Sequence, residues 1–316
     1  MLKNNFALIG AAGYVAPRHL RAIKENNQNL VAILDNTDSV GIIDSYFPEA
    51  SFFTEFERFD RHAEKLRLMG DKKRIHYVSI CSPNYLHDAH IRFALREDAN
   101  AICEKPLVLN PWNVDALKAL EKESGRSVNT ILQLRLHPQI IALKKEIDQA
   151  KAKKKYNIVL TYITPRGKWY HYSWKGDVGK SGGIATNIGI HFFDMLIWIF
   201  GGIKSNKVHY YKEDKASGVL ELENADVKWY LSIDSADLPD KNHKTYRSIL
   251  LNGKEFEFSE GFTDLHTKSY KEILGGKGFG IEVTKPSIEA VYEIRNSSPI
   301  GLKGEYHPIL KNINRS

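Results

Sequence analysis

Short apolar runs alternate with longer amphipathic stretches through the first half of the chain. Phe6 to Ile9 reads as a strand, Arg18 to Asn26 as a helix after Pro17, and Leu30 to Leu34 as a second strand. Ser39 to Phe47 is predicted helical, Ser51 to Phe53 a short strand, and Phe56 to Met69 a helix with apolar residues at helical spacing. Tyr77 to Ile80 shows no alternation, as expected for a strand buried on both faces. A helix over Asn84 to Arg96, a strand at Ala101 to Cys103, a helix over Pro111 to Glu123 and a strand at Val128 to Leu132 complete the series. Strand–helix alternation of this kind predicts parallel βαβ units in a doubly wound sheet.

After Pro138 the pattern changes. A helix over Gln139 to Lys154 ends in the basic run KAKKK, which suits a solvated helix C-terminus; no aromatics interleave with it as in a nucleic-acid patch. Alternating strands follow at Val219 to Glu223, Val227 to Ile233, Arg247 to Leu251 and Glu255 to Phe258, with Asn252-Gly253 as a hairpin signal. The predicted fold is therefore α/β: a doubly wound parallel sheet over residues 1–134, then an α+β domain with a large, mostly antiparallel sheet over 135–316.

With 316 residues, 42% hydrophobic and 26% charged, each half can bury its own core, and disorder, collagen and coiled coil are excluded. The net charge of +7 suits an anionic small substrate as well as nucleic acid, but no nucleic-acid reading motif is present. Cys81 and Cys103 sit inside apolar runs, which points to reduced, buried thiols and a cytoplasmic location. Ile188 to Ile203 is too short to span a bilayer once His191 and Asp194 interrupt it. The N-terminal FALIGAAGYVA resembles a short signal peptide, yet fits better a buried strand running into a glycine turn.

That turn, Gly10-Ala11-Ala12-Gly13-Tyr14-Val15-Ala16, stands where a strand hands over to a helix. Its spacing, G-x-x-G-x-x-A, is one residue longer in the first gap than the dinucleotide fingerprint. The helix N-terminus after it is a ready anion site. Asp35 ends the second strand, where an acid bonds the adenosine ribose hydroxyls and its charge disfavours a 2′-phosphate, so NAD is expected rather than NADP. The competing reading is that Asp35 caps a turn in DNTD. Lys105, in Glu104-Lys105-Pro106, closes a parallel strand at its carboxyl end, where ligands bind in such sheets. Partly desolvated, it is suited to proton transfer.

Ser82-Pro83-Asn84, the E-K-P triplet and Gly182-Gly183 with His191-x-x-Asp194 together resemble the Gfo/Idh/MocA oxidoreductase family over nearly the whole chain. FALIGAAGYVAPRHL, CSPNYLH, CEKPLVLNPWNVDAL and QLRLHP look like those of its UDP-N-acetylglucosaminuronate 3-dehydrogenases, the WlbA/WbpB type. The resemblance implies a Rossmann NAD domain, NAD-dependent oxidation at a sugar C3 hydroxyl, a path toward O-antigen sugars of lipopolysaccharide, and a homo-oligomer, a dimer or tetramer. On this reading NAD is held by Gly10, Gly13, Tyr14, Val15, Ala16, Asp35, Ser82, Pro83, Asn84, His87, Glu104 and Lys105. Lys105 and His191 are the expected catalytic residues, with the proton acceptor open between them. Substrate contacts are expected from Lys105, Arg166, Lys175, Asn187 and His191. Alternatives are another sugar or polyol as substrate, or a non-catalytic NAD-binding regulator.

Asn187, His191 and Asp194 are spaced to share one face of a helix that is apolar nearly all round. Many members of the family carry Asp where Asn187 stands; an amide there can bond a sugar oxygen but cannot act as a base. Arg166, Lys168 and Lys175 among Trp169, Tyr170, Tyr172 and Trp174 offer cations and stacking surfaces for a nucleotide sugar. Arg135 and His137 are weaker candidates. His87 with His90, or His191 with Asp194, has metal-ligand spacing, but neither pair brings a third ligand and no metal is expected.

Overall fold

The computed structural model describes residues 3–150, 155–240, 244–258 and 264–313. Its chain divides into two compact units, one of residues 1–136 with 263–285 and one of 137–262 with 286–316. In the first unit a parallel sheet has the order β3-β2-β1-β4-β5-β6. Its strands are β1 (Asn5–Ile9), β2 (Asn29–Leu34), β3 (Ser51–Phe53), β4 (Tyr77–Ile80), β5 (Asn100–Cys103) and β6 (Val128–Thr130). Between them run α1 (Ala16–Glu25), α2 (Phe56–Leu68), α3 (His87–Arg96) and α4 (Pro111–Ser124). All five residues of β1 are buried, and Ala7 and Leu8 are flanked by β2 and β4 in parallel register. This explains the unbroken apolar runs of the sequence.

Three local expectations change. Only Gly41–Ser45 within Ser39 to Phe47 is helical, as a 3₁₀ turn, because Gly41 and Pro48 leave too few residues to nucleate an α-helix. Asn84–Leu86 is likewise 3₁₀, with α3 starting at His87. The strand expected at Glu255 to Phe258 shrinks to Lys254–Glu255.

The second unit opens with α5 (Pro138–Gln149); most of the basic run after it lies outside the described residues, and Lys155 pairs with Glu221 and Asp226. There follow β7 (Tyr156–Ile163), α6 (Trp169–Tyr172), α7 (Val178–Ser181), α8 (Ile190–Phe200) and β8 (Ile203–Tyr211). Next come β9 (Lys215–Leu222), β10 (Ala225–Ser232), β11 (Tyr246–Leu251) and β12 (Lys254–Glu255). The sheet order is β12-β11-β7-β10-β9-β8, antiparallel throughout except for the parallel pair β7–β10. Asn252 and Gly253, both at positive φ (50° and 81°), make the expected hairpin between β11 and β12. The helical run Val178–Phe200 is long and apolar enough to cross a membrane by length and composition alone, yet 89% of its most apolar window is buried. It is the core helix of this unit, with Phe193 edge-on to Trp229 at 5.3 Å.

The division of the chain is not the single cut expected at residue 134. After β12 the chain returns to the first unit through α9 (Leu265–Leu274), whose Tyr270 and Ile273 enter the core beside Phe6, Leu20 and Ile23. The Phe279 carbonyl then accepts from the Thr130 N–H at the end of β6. An amphipathic helix announces its apolar face in the sequence but not which core that face joins. The division falls again inside α10 (Ile281–Asn296), at Pro286, and the described chain ends with α11 (Leu310–Ile313).

Candidate active site

In the first unit the turns after β1, β2 and β4 converge on one cavity. Its volume is about 420 Å³, and its walls include Gly10, Asp35, Asn36, Phe56, Ser82, Pro83, Tyr85 and His90. Gly10 sits at φ +92°, and a Cβ there would lie 2.6 Å from the Cys81 carbonyl carbon and the Ser82 nitrogen. Only glycine fits where two strand ends approach so closely. A Cβ on Gly13 would meet the Gly10 carbonyl oxygen at 3.1 Å, so the turn before α1 is tight in both places. Tyr14 is exposed, Val15 is half-buried, and Ala16 begins α1 fully buried.

Asp35 serves the turn and also faces the cavity. It caps the DNTD turn by accepting from the Thr37 N–H (3.0 Å), and it also lines the cavity. Its other oxygen accepts from the Ala12 N–H at 2.8 Å, so the acid fixes the glycine turn as well as facing the cavity. On the opposite wall, Ser82 Oγ meets His90 Nδ1 at 2.8 Å, and Phe56 stacks on the His90 ring. Burial pulls the His90 pKa down to about 4, so the ring there is neutral at physiological pH.

Of the twelve residues expected to hold the cofactor, Gly10, Asp35, Ser82 and Pro83 line this cavity, while Gly13, Tyr14, Val15, Ala16, Asn84, His87, Glu104 and Lys105 do not. His87 is fully buried and does not line it; its ring bonds the carbonyls of Pro106 (2.7 Å) and Ser82 (2.9 Å). Asn84 is buried in the 3₁₀ turn and also lies off the cavity wall. α3 starts at His87, later than the pattern suggests, and the His87 ring ties two turns together.

Glu104 is buried in a polar network that the sequence did not reveal. His19 Nε2 (from α1) and His266 Nε2 (from α9) both donate to its Oε1 at 2.9 Å. The Lys105 N–H reaches Oε2 at 3.3 Å. Tyr270 Oη bridges His19 Nδ1 and Ser79 Oγ, at 2.6 Å each. Burial pushes the Glu104 carboxyl up, but the bonds from the two histidines outweigh it and hold the group well below the usual carboxylate range. Burial pulls His19 down, and Glu104 only partly offsets this. The triad His19–Glu104–His266 has a metal-like donor set. Its geometry closes as hydrogen bonds instead: an ionised carboxylate, and a neutral His19 that accepts at Nδ1 from Tyr270. Cys81 and Cys103 are free and buried, as expected, and burial raises both thiols well above their ordinary value. Lys105 itself is half-buried at the carboxyl end of β5, joined to Pro106 by a cis peptide.

In the second unit Gly182 and Gly183 both adopt positive φ (81° and 75°), which turns the chain from α7 into the buried helix. Their Cβ atoms would strike Thr186 and the Tyr211 hydroxyl. Ala185–Gly189 is π-helical before α8 begins at Ile190. The Asn187-to-His191 step is therefore only partly α-helical, a correction to the shared-face expectation. π-turns of this kind are frequent at functional sites. The Asn187 amide donates to the Tyr170 hydroxyl at 2.8 Å, His191 is half-buried, and Asp194 is buried.

The loop from Thr164 to Asp177 carries Arg166, Lys168 and Lys175. Lys175 lies over the rings of Trp174 (4.5 Å) and Trp169 (5.6 Å), and Arg166 is exposed beside them. Burial, with Arg166 adding to it, lowers the Lys175 pKa. Among the described residues no carboxylate pairs with either cation. Arg135 and His137 are buried: Arg135 donates to the Val283 carbonyl, and His137 stands edge-on to Phe258.

Family models for the Gfo/Idh/MocA oxidoreductases match residues 4–131 (the NAD-binding Rossmann fold) and 144–273 (the C-terminal α/β domain). The WlbA (WbpB) dehydrogenase from Thermus thermophilus has been solved with NAD and UDP-GlcNAcA. It is 50% identical, with TM-score 0.92 over 96% of this chain and 99% of that one. The same enzyme with NAD and alpha-ketoglutarate matches equally well. Inositol 2-dehydrogenase from Rhizobium meliloti (strain 1021) is 26% identical over 199 residues, 62% of this chain and 54% of that protein. The chain thus matches about half the length of its curated relatives and nearly all of the Thermus structure. With a glycine turn, an acid-lined cavity and an E-K-P turn at one sheet edge, and both family models matched in order, this chain belongs to the Gfo/Idh/MocA oxidoreductase family, with an NAD-binding Rossmann domain.

Proposed function

We propose that this protein is an NAD-dependent dehydrogenase that oxidises the C3 hydroxyl of UDP-N-acetylglucosaminuronic acid to the 3-keto sugar. The likeness to the Thermus enzyme solved with NAD and UDP-GlcNAcA, at 50% identity over nearly the whole chain, carries this reading. The cation pair Arg166 and Lys175 among tryptophans supports it, since a diphosphate and a uronate both need cations.

NAD, when bound, would supply the acceptor for the C3 hydride. The protein supplies the rest. Gly10 and Gly13 let a pyrophosphate approach the turn before α1, and Asp35 offers a carboxylate to ribose hydroxyls. The hydroxyl proton passes to Lys105 or His191, the two half-buried bases, and the pH–rate profiles of Lys105→Ala and His191→Ala assign it. Asn187, held by Tyr170, is a donor for a sugar oxygen. 2-Oxoglutarate would serve as the oxidant that restores NAD, its ketone taking the hydride and a proton to give 2-hydroxyglutarate. The Thermus complex with NAD and alpha-ketoglutarate supports this step.

The keto product suits an amine transfer on the way to O-antigen sugars of lipopolysaccharide. The enzyme acts in the cytoplasm, where Cys81 and Cys103 stay reduced, as a homotetramer whose size sedimentation would check. The functional test is turnover. Incubation with NAD, UDP-N-acetylglucosaminuronic acid and 2-oxoglutarate yields 3-keto sugar and 2-hydroxyglutarate in equal amounts. Failure to form keto sugar under these conditions contradicts the assignment.

A further inference from the structure

His87 opens α3 with its ring fully buried, and both of its nitrogens face carbonyl oxygens. Nδ1 is 2.7 Å from the Pro106 oxygen and Nε2 is 2.9 Å from the Ser82 oxygen. A carbonyl can only accept, and a neutral imidazole has one N–H. A neutral ring would satisfy one carbonyl and press a bare lone pair against the other at hydrogen-bond distance. Only the imidazolium donates in both directions.

The neighbouring histidines make the contrast plain. His19 also has two partners, but the Tyr270 hydroxyl can donate to Nδ1, so the neutral ring completes its network. His90 faces the Ser82 hydroxyl, which can also donate. His87 alone of the three has acceptors on both sides. Burial, with Lys105 adding to it, pulls the ring's pKa below its ordinary value, and the two carbonyls and Glu104 offset this only in part; the charge is inferred from the two acceptor contacts, against that pull. Glu104 is ionised, and its two histidine bonds are made without any charge on His19. A cation nearby balances a buried anion that would otherwise be costly. The charged or titratable groups facing His87 are Glu104, Lys105 and His90.

The two carbonyls belong to different turns. Ser82 follows β4 and lines the cofactor cavity, while Pro106 follows Lys105 beyond β5. We propose that His87 is a positioning residue, a buried imidazolium that clamps the Ser82 turn to the Lys105–Pro106 turn, so that the cavity wall and the lysine are held as one piece. Its catalytic consequence rests on Lys105 serving the reaction proposed above; its charge does not.

Neutron diffraction from crystals of the perdeuterated full chain near neutral pH tests the charge directly. Deuterium on both Nδ1 and Nε2 of His87 is expected; a bare nitrogen on either side overturns the proposal. His87→Phe keeps the ring and removes both donors, and His87→Gln keeps one. In steady-state turnover the clamp predicts a fall in kcat of about 100-fold for His87→Phe and a smaller one for His87→Gln, the scale expected when a reactive group is misplaced by an ångström. Wild-type kcat in His87→Phe would show that the ring only fills space and would overturn the positioning role. If the variants do not fold, the neutron result on the unaltered protein still decides. Loss of the sugar assignment would show in the wild-type turnover, leaving the His87 result untouched.

Discussion

Asp35→Asn is the sharpest perturbation of the cofactor cavity, because the two side chains have one shape and different donors. The carboxylate accepts from Ala12 N–H at 2.8 Å and from Thr37 N–H at 3.0 Å. In the variant one oxygen becomes an NH₂ that faces an N–H, so one charge-assisted bond is lost and a donor meets a donor. A bond to a charged group contributes about 1.5–3 kcal/mol, so the glycine turn should lose about 2 kcal/mol of fixing energy. If NAD binding needs that turn in place, its Kd rises about 30-fold, at tenfold per 1.4 kcal/mol. Removing the charge also removes repulsion of a 2′-phosphate, about 1 kcal/mol per charge pair at 4 Å even in bulk water, so NADP gains relative to NAD by about fivefold or more. Calorimetric titration of both cofactors into wild type and variant measures this. An unchanged Kd for NAD with an unchanged NAD-to-NADP ratio would refute the role given to Asp35.

Lys105→Ala should abolish turnover while leaving NAD binding within a few-fold of wild type, read by titration and single-turnover absorbance. Arg166→Gln and Lys175→Gln should each raise KM for the nucleotide sugar about tenfold, the cost of one charge-assisted bond, and flatten the dependence of binding on salt. Acid should destabilise both units. His90 and His307 titrate in the fold at about 4 against an ordinary 6.5, so their stabilisation is full above about pH 6.5 and falls as pH drops toward 4. At pH 5 each withholds about 2 kcal/mol, so His307→Gln, which loses a ring stacked on Tyr230 and bonded to Thr161, should show a smaller drop in Tm between pH 7 and 5 than wild type.

The N-terminal half was legible because its chemistry lies in local patterns. Unbroken apolar runs mark strands buried on both faces, and Gly10 and Asp35 announce themselves by position after a strand. The Asn252-Gly253 hairpin was legible for the same reason. What escaped was assembled over distance. His19 and His266 are 247 residues apart in sequence and meet on Glu104 only because α9 returns to the first unit. Nothing local marks a histidine for such a partner. The π-turn at Asn187 escaped because side-chain spacing assumes an α-helix, whereas a π-turn follows the backbone's path into α8. His87 stood out in a motif as a cofactor contact, but that carbonyls flank its ring shows only in the structure.

The central claim is that this chain recognises a nucleotide-linked uronate. Calorimetric binding of UDP-N-acetylglucosaminuronic acid to the NAD-loaded protein tests it most directly, beside UDP-N-acetylglucosamine, free glucuronic acid and myo-inositol. Tight binding of the uronate nucleotide alone is predicted, weakening as salt rises. Binding of inositol or free sugar in preference to it would contradict the account and assign the same fold and cofactor to a neutral substrate.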